Sequence, residues 1–257
     1  MRLCIITATL NENVLIGQHI DYLNELRSSH KIFYIIADGG SVDGTVDSIK
    51  LNITSDCLLL KNSGKIYESW NFSLENLPPQ ITHVAFLGVG DRLRLNYLQE
   101  ILYSNNSDKI DIHTSGLEIG SKKYPLIKAD LIIKAISSAN VACMPVHHSG
   151  TIFSVRLFKI IGKFNPIYMI ASDLDWMLRL KLVSDISVYS FAGYGVSMRQ
   201  YGISSGGLKS FAIIREELKI SLYNRRFPCF KRILYLLYSY FNRDFPLGIF
   251  KTTKCEK

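Results

Sequence analysis

The carboxylates of this chain stand where chemistry could be done. Asp38 follows an apolar run at 32–37 and opens the stretch Asp38-Gly-Gly-Ser-Val-Asp43-Gly-Thr45. Asp91 follows a second apolar run at 84–87, after Gly88-Val89-Gly90. Asp173 and Asp175 fall in the first turn of a helical pattern at 173–183, and His147-His148 precede an extended segment at 151–155. A carboxylate can offer hard oxygen to a divalent cation, or accept a proton from a hydroxyl once burial lifts its pKa toward the working pH. Each also has a plainer role open to it. Asp38 can shape a turn beside glycine, and Asp91 can cap a helix over 95–102. Asp173 can be a helix N-terminal acid that favours the dipole, with Asp175 in reserve, and His148 can be a satisfied core or loop residue.

The elements that must position these groups read from hydrophobic period. A short apolar run at 3–9 is followed by polar Asn11-Glu12-Asn13 and a helical pattern through Ile20, Leu23 and Leu26. Strand and helix alternate again through 32–37, a short strand at 57–60, a helix at 67–77 stopped by Pro78-Pro79, and a strand at 84–87. This alternation predicts an α/β fold with a mostly parallel, doubly wound sheet flanked by helices. Ligands of such sheets bind beyond the carboxyl ends of the strands, where Asn11, Asp38 and Asp91 are expected on three different strand ends. Tyr67 and Asn71, at i and i+4, share one helix face that either meets a ligand or packs. Further on, the sequence predicts a strand at 112–117, a polar stretch at 120–140 as the acceptor region, and a helix at 156–161.

At 257 residues, with 47% hydrophobic and 20% charged residues, the chain folds as one large domain with an appendage. The net charge is +8, but residues 219–257 hold nine Lys/Arg against two Asp/Glu, so residues 1–218 are nearly neutral and a nucleic-acid-binding core is excluded. The expected division is therefore a domain over 1–218 and a basic, aromatic, helical tail over 219–257. The tail interleaves Arg225, Arg226, Lys231, Arg232 and Arg243 with Phe227, Phe230, Tyr235, Tyr238, Tyr240, Phe241 and Phe245. Its apolar run at 233–237 is far shorter than a bilayer span of about 20 residues. It either lies on an anionic membrane surface or packs on the domain. Five scattered cysteines without CxxC spacing argue against a disulfide framework and a zinc site. The four-residue apolar run near Met1 is too short for a signal-peptide core, so a cytoplasmic protein is expected, peripheral on the inner face of the plasma membrane.

Taken in order, several stretches resemble glycosyltransferase family 2: the strand before Asn11-Glu12, Asp38-Gly-Gly-Ser-x-Asp43-Gly-Thr, and Ser63-Gly-Lys-Ile-Tyr67-Glu-Ser-Trp-Asn71. Phe86-Leu-Gly-Val-Gly-Asp91, Met144-Pro-Val-His-His148 and Ile170-Ala-Ser-Asp173-Leu-Asp175-Trp-Met-Leu-Arg179 continue the series, and the resemblance covers about residues 3–195. It implies a GT-A-like fold and an inverting transfer from a nucleotide-sugar donor to a glycan or polyprenyl-linked saccharide acceptor, in surface-polysaccharide synthesis. It implies that Asp38, with Thr9 and Asn11, recognises the nucleotide, and that Tyr67 and Asn71 meet the nucleotide or sugar. Asp91 and His148 would hold a divalent cation, Mg²⁺ or Mn²⁺, and Asp173 would be the base.

The chain departs from that pattern. The usual pair of acids is reduced to Gly88-Val89-Gly90-Asp91, Ser63 and Lys65 replace a usual Asp and Gly, and Ser172 stands where Glu is common. Two other readings therefore stand beside the enzyme: a nucleotide-sugar-binding scaffold without turnover, and a basic membrane-associated binding protein.

Overall fold

A computed structural model of the chain describes residues 1–30, 32–54, 57–61, 64–138, 141–199 and 210–241. Ser63, Arg243 and Phe245, and the last two residues of the 120–140 stretch, lie outside them. The chain opens with β1 (Leu3–Thr9), α1 (Asn13–His30), β2 (Phe33–Asp38), α2 (Thr45–Asn52), β3 (Leu58–Lys61), α3 (Ile66–Glu75) and β4 (His83–Phe86). These strands are parallel in the order β3-β2-β1-β4, so the chain winds outward from β1 and then crosses back to β4. The reversal beside β1 is the switch point at which such sheets bind ligands.

Period-2 alternation builds both faces of this sheet. Leu3, Ile5, Tyr34 and Ile36 face one core with α1, whose Ile16, Ile20, Leu23 and Leu26 are buried there. Cys4, Ile6 and Ile35 face a second core, with Tyr67 and Trp70 of α3. Residues with one side toward each layer are nearly all apolar, which is why these strands read as continuous hydrophobic runs.

The remainder comprises β5 (Arg92–Leu93), α4 (Leu95–Tyr103), β6 (Ile112–Ile119), β7 (Lys122–Tyr124), α5 (Ala129–Ser138), β8 (Val141–Ala142), β9 (Ile152–Ser154), α6 (Val155–Ile161), α7 (Ser172–Arg179) and β10 (Val188–Met198). It ends with α8 (Ser210–Tyr223), β11 (Phe227–Pro228) and α9 (Phe230–Phe241). β9 runs antiparallel between β4 and β6, β10 pairs parallel with β6 and antiparallel with β5, and β7 pairs with β6, giving a mixed nine-stranded sheet. The GT-A-like, doubly wound architecture with C-terminal helices is thus the observed one.

Several expectations shift in detail. The N-cap of α4 is Arg94, so Asp91 does not cap that helix. The pattern expected over 173–183 is α7 followed by a 3-10 turn at Leu180–Leu182. The polar stretch after 120 forms β7 and α5. Helix α8 runs straight across position 218, where composition marks the start of the tail, and its Ile220 is fully buried against Tyr168, Ala171, Leu174 and Leu178. Helix α9 in turn lies on α8, through Arg232 on Glu217 and an edge contact of Phe211 with Tyr240.

Candidate active site

Three loops meet at the carboxyl ends of β1, β2 and β3. Thr9 and Asp38 are register partners, and the Gly39 N–H donates to the Thr9 carbonyl at 2.9 Å. A Cβ on Gly39 would stand 2.9 Å from the Gly64 carbonyl oxygen, so only glycine allows the loops to approach this closely. Asp38 is buried, and its carboxylate accepts the N–H groups of Gly40 and Ser41, each at 3.0 Å, and the Ser41 hydroxyl at 2.5 Å. Ser41 Oγ also accepts the Asn11 N–H at 2.8 Å, and Asn11 Oδ1 accepts the Val42 N–H at 3.0 Å. The turn-forming role of Asp38 is therefore realised, and Asn11, at φ 54, is locked onto the same turn. The Thr9 hydroxyl is buried there without a partner among the described residues.

At the end of β4, Asp91 is 5% exposed and its oxygens are taken. Oδ2 accepts the Gly88 N–H at 3.1 Å and the Ser149 hydroxyl at 2.7 Å, while Oδ1 accepts the Arg199 N–H at 2.9 Å. Burial raises its pKa against these donors. His19, reaching in from α1, accepts the Gly90 N–H at Nδ1 and meets the Thr7 hydroxyl at Nε2, 3.0 Å away. That pairing fixes the Nε2–H tautomer, and burial followed by the charges of Arg92 and Arg199 lowers the pKa of His19 to about 4. The Arg199 guanidinium is held by both oxygens of Glu12, at 2.8 and 2.7 Å.

These residues do not fit a divalent cation. Among the described residues no three His, Cys, Asp or Glu side chains converge as a site, and the lone pairs that Asp91 would offer face N–H and O–H donors. His148 lies in an aromatic cage, stacked on Trp70 at 4.8 Å, Phe86 at 5.1 Å and Phe153 at 5.7 Å. Burial drives its pKa down to about 3, and its Nε2 has no partner among the described residues. An imidazole enclosed by rings on this scale packs as a core residue.

Asp173 stands in the first turn of α7, partly buried. Its Oδ1 accepts the Leu174 N–H at 2.9 Å and lies 3.1 Å from the Tyr67 hydroxyl, whose proton is shared with the Ile170 carbonyl at 2.7 Å. Burial raises the Asp173 pKa, opposed by those hydrogen bonds and by the charge of Arg232 from α9. Asp175 is not in reserve: it is buried and paired with Arg179, whose guanidinium also binds the carbonyls of Ile161 and Lys163. Asn71 clamps Phe164 with both ends of its amide, Nδ2 to the carbonyl at 2.8 Å and Oδ1 from the N–H at 3.0 Å. The shared face of Tyr67 and Asn71 thus braces the segment that carries Asp173.

A residue without any motif completes this brace. Buried Glu216 of α8 accepts the N–H groups of Met169, Ile170 and Ala171 at 2.8, 2.9 and 3.0 Å, at the N-terminus of α7. Ala171, the N-cap, offers no capping side chain, so a carboxylate from another helix satisfies these donors and opposes the positive end of the dipole. Glu216, His19 and Arg199 were not singled out by the sequence, and Glu12 only as part of the Asn11-Glu12 stretch, because each acts through a partner remote along the chain. The contacts run in one line from the Asn11 loop through Glu12 and Arg199 to Asp91, and from Ser149 and His148 through Trp70 and Tyr67 to Asp173.

No family model and no curated protein matches the chain. Solved structures do match its fold. S. aureus TarS 1–349 in complex with UDP-GlcNAc superposes with a TM-score of 0.65 at 15% identity, over 95% of this chain and 72% of that one. The mannosyltransferase PcManGT of Pyrobaculum calidifontis, in complex with GDP-Man and Mn²⁺, gives 0.60 at 14% identity, over 93% and 69%. Glucosyl-3-phosphoglycerate synthase of Mycobacterium tuberculosis gives 0.56 at 16% identity, over 89% and 81%. Against a longer S. aureus TarS chain, this one spans 43% of the length. At these identities the likeness is one of fold, and the chain has the GT-A-like fold shared by these three proteins.

Proposed function

We propose that this chain is an inverting glycosyltransferase that moves a sugar from a nucleotide-sugar donor to a hydroxyl of a glycan or lipid-linked saccharide. The observation that carries the reading is Asp173, a carboxylate held by Tyr67 at a braced helix start, with its pKa raised by burial. In this reaction Asp173 takes the proton of the acceptor hydroxyl while that oxygen bonds to the anomeric carbon. The bond from that carbon to the donor's diphosphate breaks, and the nucleoside diphosphate departs with the electron pair. A single displacement from the opposite face inverts the configuration. Thr9, Asn11 and Asp38 line the donor side, and Tyr67 and Asn71 act as positioning residues. The binding of UDP-GlcNAc and GDP-Man by two proteins of the same fold supports a sugar-nucleotide donor.

The test is a panel of UDP-, GDP-, CDP- and dTDP-sugars, with and without Mn²⁺, read by thermal shift and by donor hydrolysis. Stabilisation by one nucleotide class with slow hydrolysis is expected; no response to any of them overturns the reading. A second reading, a sugar-nucleotide-binding scaffold, is favoured by the N–H and O–H donors that already occupy both oxygens of Asp91. Stabilisation with neither hydrolysis nor transfer to any acceptor would establish it.

An anionic membrane surface fits the reading as the place where a polyprenyl-linked acceptor is met. Among the described residues no helix is long and apolar enough to cross a membrane. Helix α9 nonetheless exposes Phe230, Leu234 and Tyr238, each four residues from the next, beside exposed Lys231, and Leu222, Tyr223 and Phe227 are exposed nearby with Arg225. Apolar side chains rimmed by cations match a headgroup region carrying negative charge.

A further inference from the structure

We propose that the Arg199 guanidinium, in place of a divalent cation, is the positive charge that holds the donor's diphosphate at the end of β4; the inference rests on the donor reading above. Three observations on this loop lead to it. Gly90 has φ +89, and a Cβ added there would meet Cδ, Cβ and Cγ of Arg199 at 3.3, 3.7 and 3.9 Å. The arginine side chain therefore lies across the space that a side chain at 90 would take. A Cβ on Gly88 would meet Asp91 Oδ2 at 3.1 Å, so an acid at that position would crowd the carboxylate already there. Asp91 spends one oxygen on the Arg199 N–H and the other on Gly88 and Ser149, and so anchors the arginine's main chain to the β4 loop.

The guanidinium itself is fixed and only partly covered. Two of its five N–H donors go to Glu12, and its side chain is 35% exposed. Its other donors have no partner among the described residues, which leaves an edge of the planar fork for the oxygens of a phosphate. Glu12 sets the orientation of that fork while offsetting part of its charge. His19, beneath the same loop, is neutral at working pH and adds no competing cation. A charge held in place before the donor arrives needs no reorganisation as negative charge grows on the departing diphosphate. The loop lies at the carboxyl end of a strand flanking the switch point, where the donor is expected.

The test is calorimetric titration of the wild-type chain, Arg199→Met and Arg199→Lys with UDP and GDP and with uridine and guanosine, each in EDTA and in Mn²⁺. Wild type is expected to bind one diphosphate in EDTA, with Mn²⁺ changing the affinity less than about threefold. Arg199→Met is expected to lose about 10- to 100-fold for that diphosphate but less than about twofold for the matching nucleoside, which lacks the phosphates. Arg199→Lys should fall between, retaining the charge without the fork. Undiminished diphosphate binding by Arg199→Met, or a gain of about tenfold or more from Mn²⁺ in wild type, overturns the proposal and leaves the donor reading standing. If wild type binds neither diphosphates nor nucleosides, the donor reading fails and takes the proposal with it. The wild-type comparison of EDTA with Mn²⁺ decides the matter even if the Met variant does not fold.

Discussion

The Tyr67 hydroxyl on α3 lies 3.1 Å from Asp173 Oδ1 on α7 while also meeting the Ile170 carbonyl at 2.7 Å. One phenol thus ties the proposed base to the loop that presents it. Asp173→Asn keeps the shape but removes the proton acceptor, so transfer is expected to fall by about 10²- to 10⁴-fold with donor affinity unchanged. Tyr67→Phe keeps the ring packed between Trp70 and Phe164 and deletes only the hydroxyl. Because that hydrogen bond holds the Asp173 pKa down, its loss should move the acidic limb of kcat/KM to higher pH. Full transfer by Asp173→Asn, or an unmoved limb in Tyr67→Phe, would remove Asp173 from the reaction.

The chain is expected to lose stability steadily as pH falls from 7 to 5. His19, His113 and His147 have pKa values lowered to about 4, and His148 to about 3, in each case chiefly by burial; His83 is lowered as well. A folded pKa below the unfolded one means that the unfolded chain takes up the protons. Each histidine's contribution is therefore complete above about 6.5 and is lost toward its folded value, at about 1.4 kcal/mol per pH unit where only the unfolded form is charged. Asp91, Asp173 and Glu217 are raised, so their contribution runs the opposite way and offsets part of the loss. His148→Phe places a ring of similar shape in the same stack and should flatten the dependence of Tm on pH. A Tm independent of pH over this range, or an unchanged slope in the variant, would contradict the assignment of these histidines as neutral core groups.

The parts of this fold that were legible in the sequence are those built from local contacts. The β1 to β4 strands follow from apolar runs buried on both sides, and the Asp38 turn from one carboxylate beside two glycines. The i, i+4 spacing of Tyr67 and Asn71 correctly put both on one face of α3. What that face meets was not legible, since Tyr67 and Asp173 are 106 residues apart and Arg199 and Glu12 187 apart. Strand β10 left no clean alternation because its register slips between Ser190, Tyr194 and Val196, around Gly193 and Gly195. The cage around His148 draws on Trp70, Phe86, Phe153 and Phe164, which no spacing connects.

Glu216 offers a test of how far Asp173 depends on its brace. Glu216→Ala leaves three N–H groups at the start of α7 without their acceptor and is expected to destabilise the chain by about 2–5 kcal/mol. Glu216→Gln keeps an acceptor at one oxygen only and should recover part of that stability. If the brace positions the base, the Gln variant lowers kcat while leaving the donor KM within about twofold of wild type. A variant that loses Tm but retains kcat would show that Glu216 holds the fold and leaves the reaction untouched.

The outer face of α9 can be tested apart from the site. Leu236 is buried and Arg232 pairs with Glu217, whereas Leu234 is 66% exposed and Phe230 also 66%. The full chain is expected to sediment with vesicles containing phosphatidylglycerol, less so as salt is raised, and weakly with phosphatidylcholine alone. Inserting one such side chain is worth about 1.5–3 kcal/mol. Leu234→Asp should therefore weaken vesicle binding by about tenfold or more, while an exposed position leaves Tm nearly unchanged. Equal binding by the variant would assign the attraction to Lys231 and Arg225 alone. If the wild-type chain binds neither vesicle, α9 is a helix packed on α8 with its charges in solvent, and the acceptor must reach Asp173 from solution.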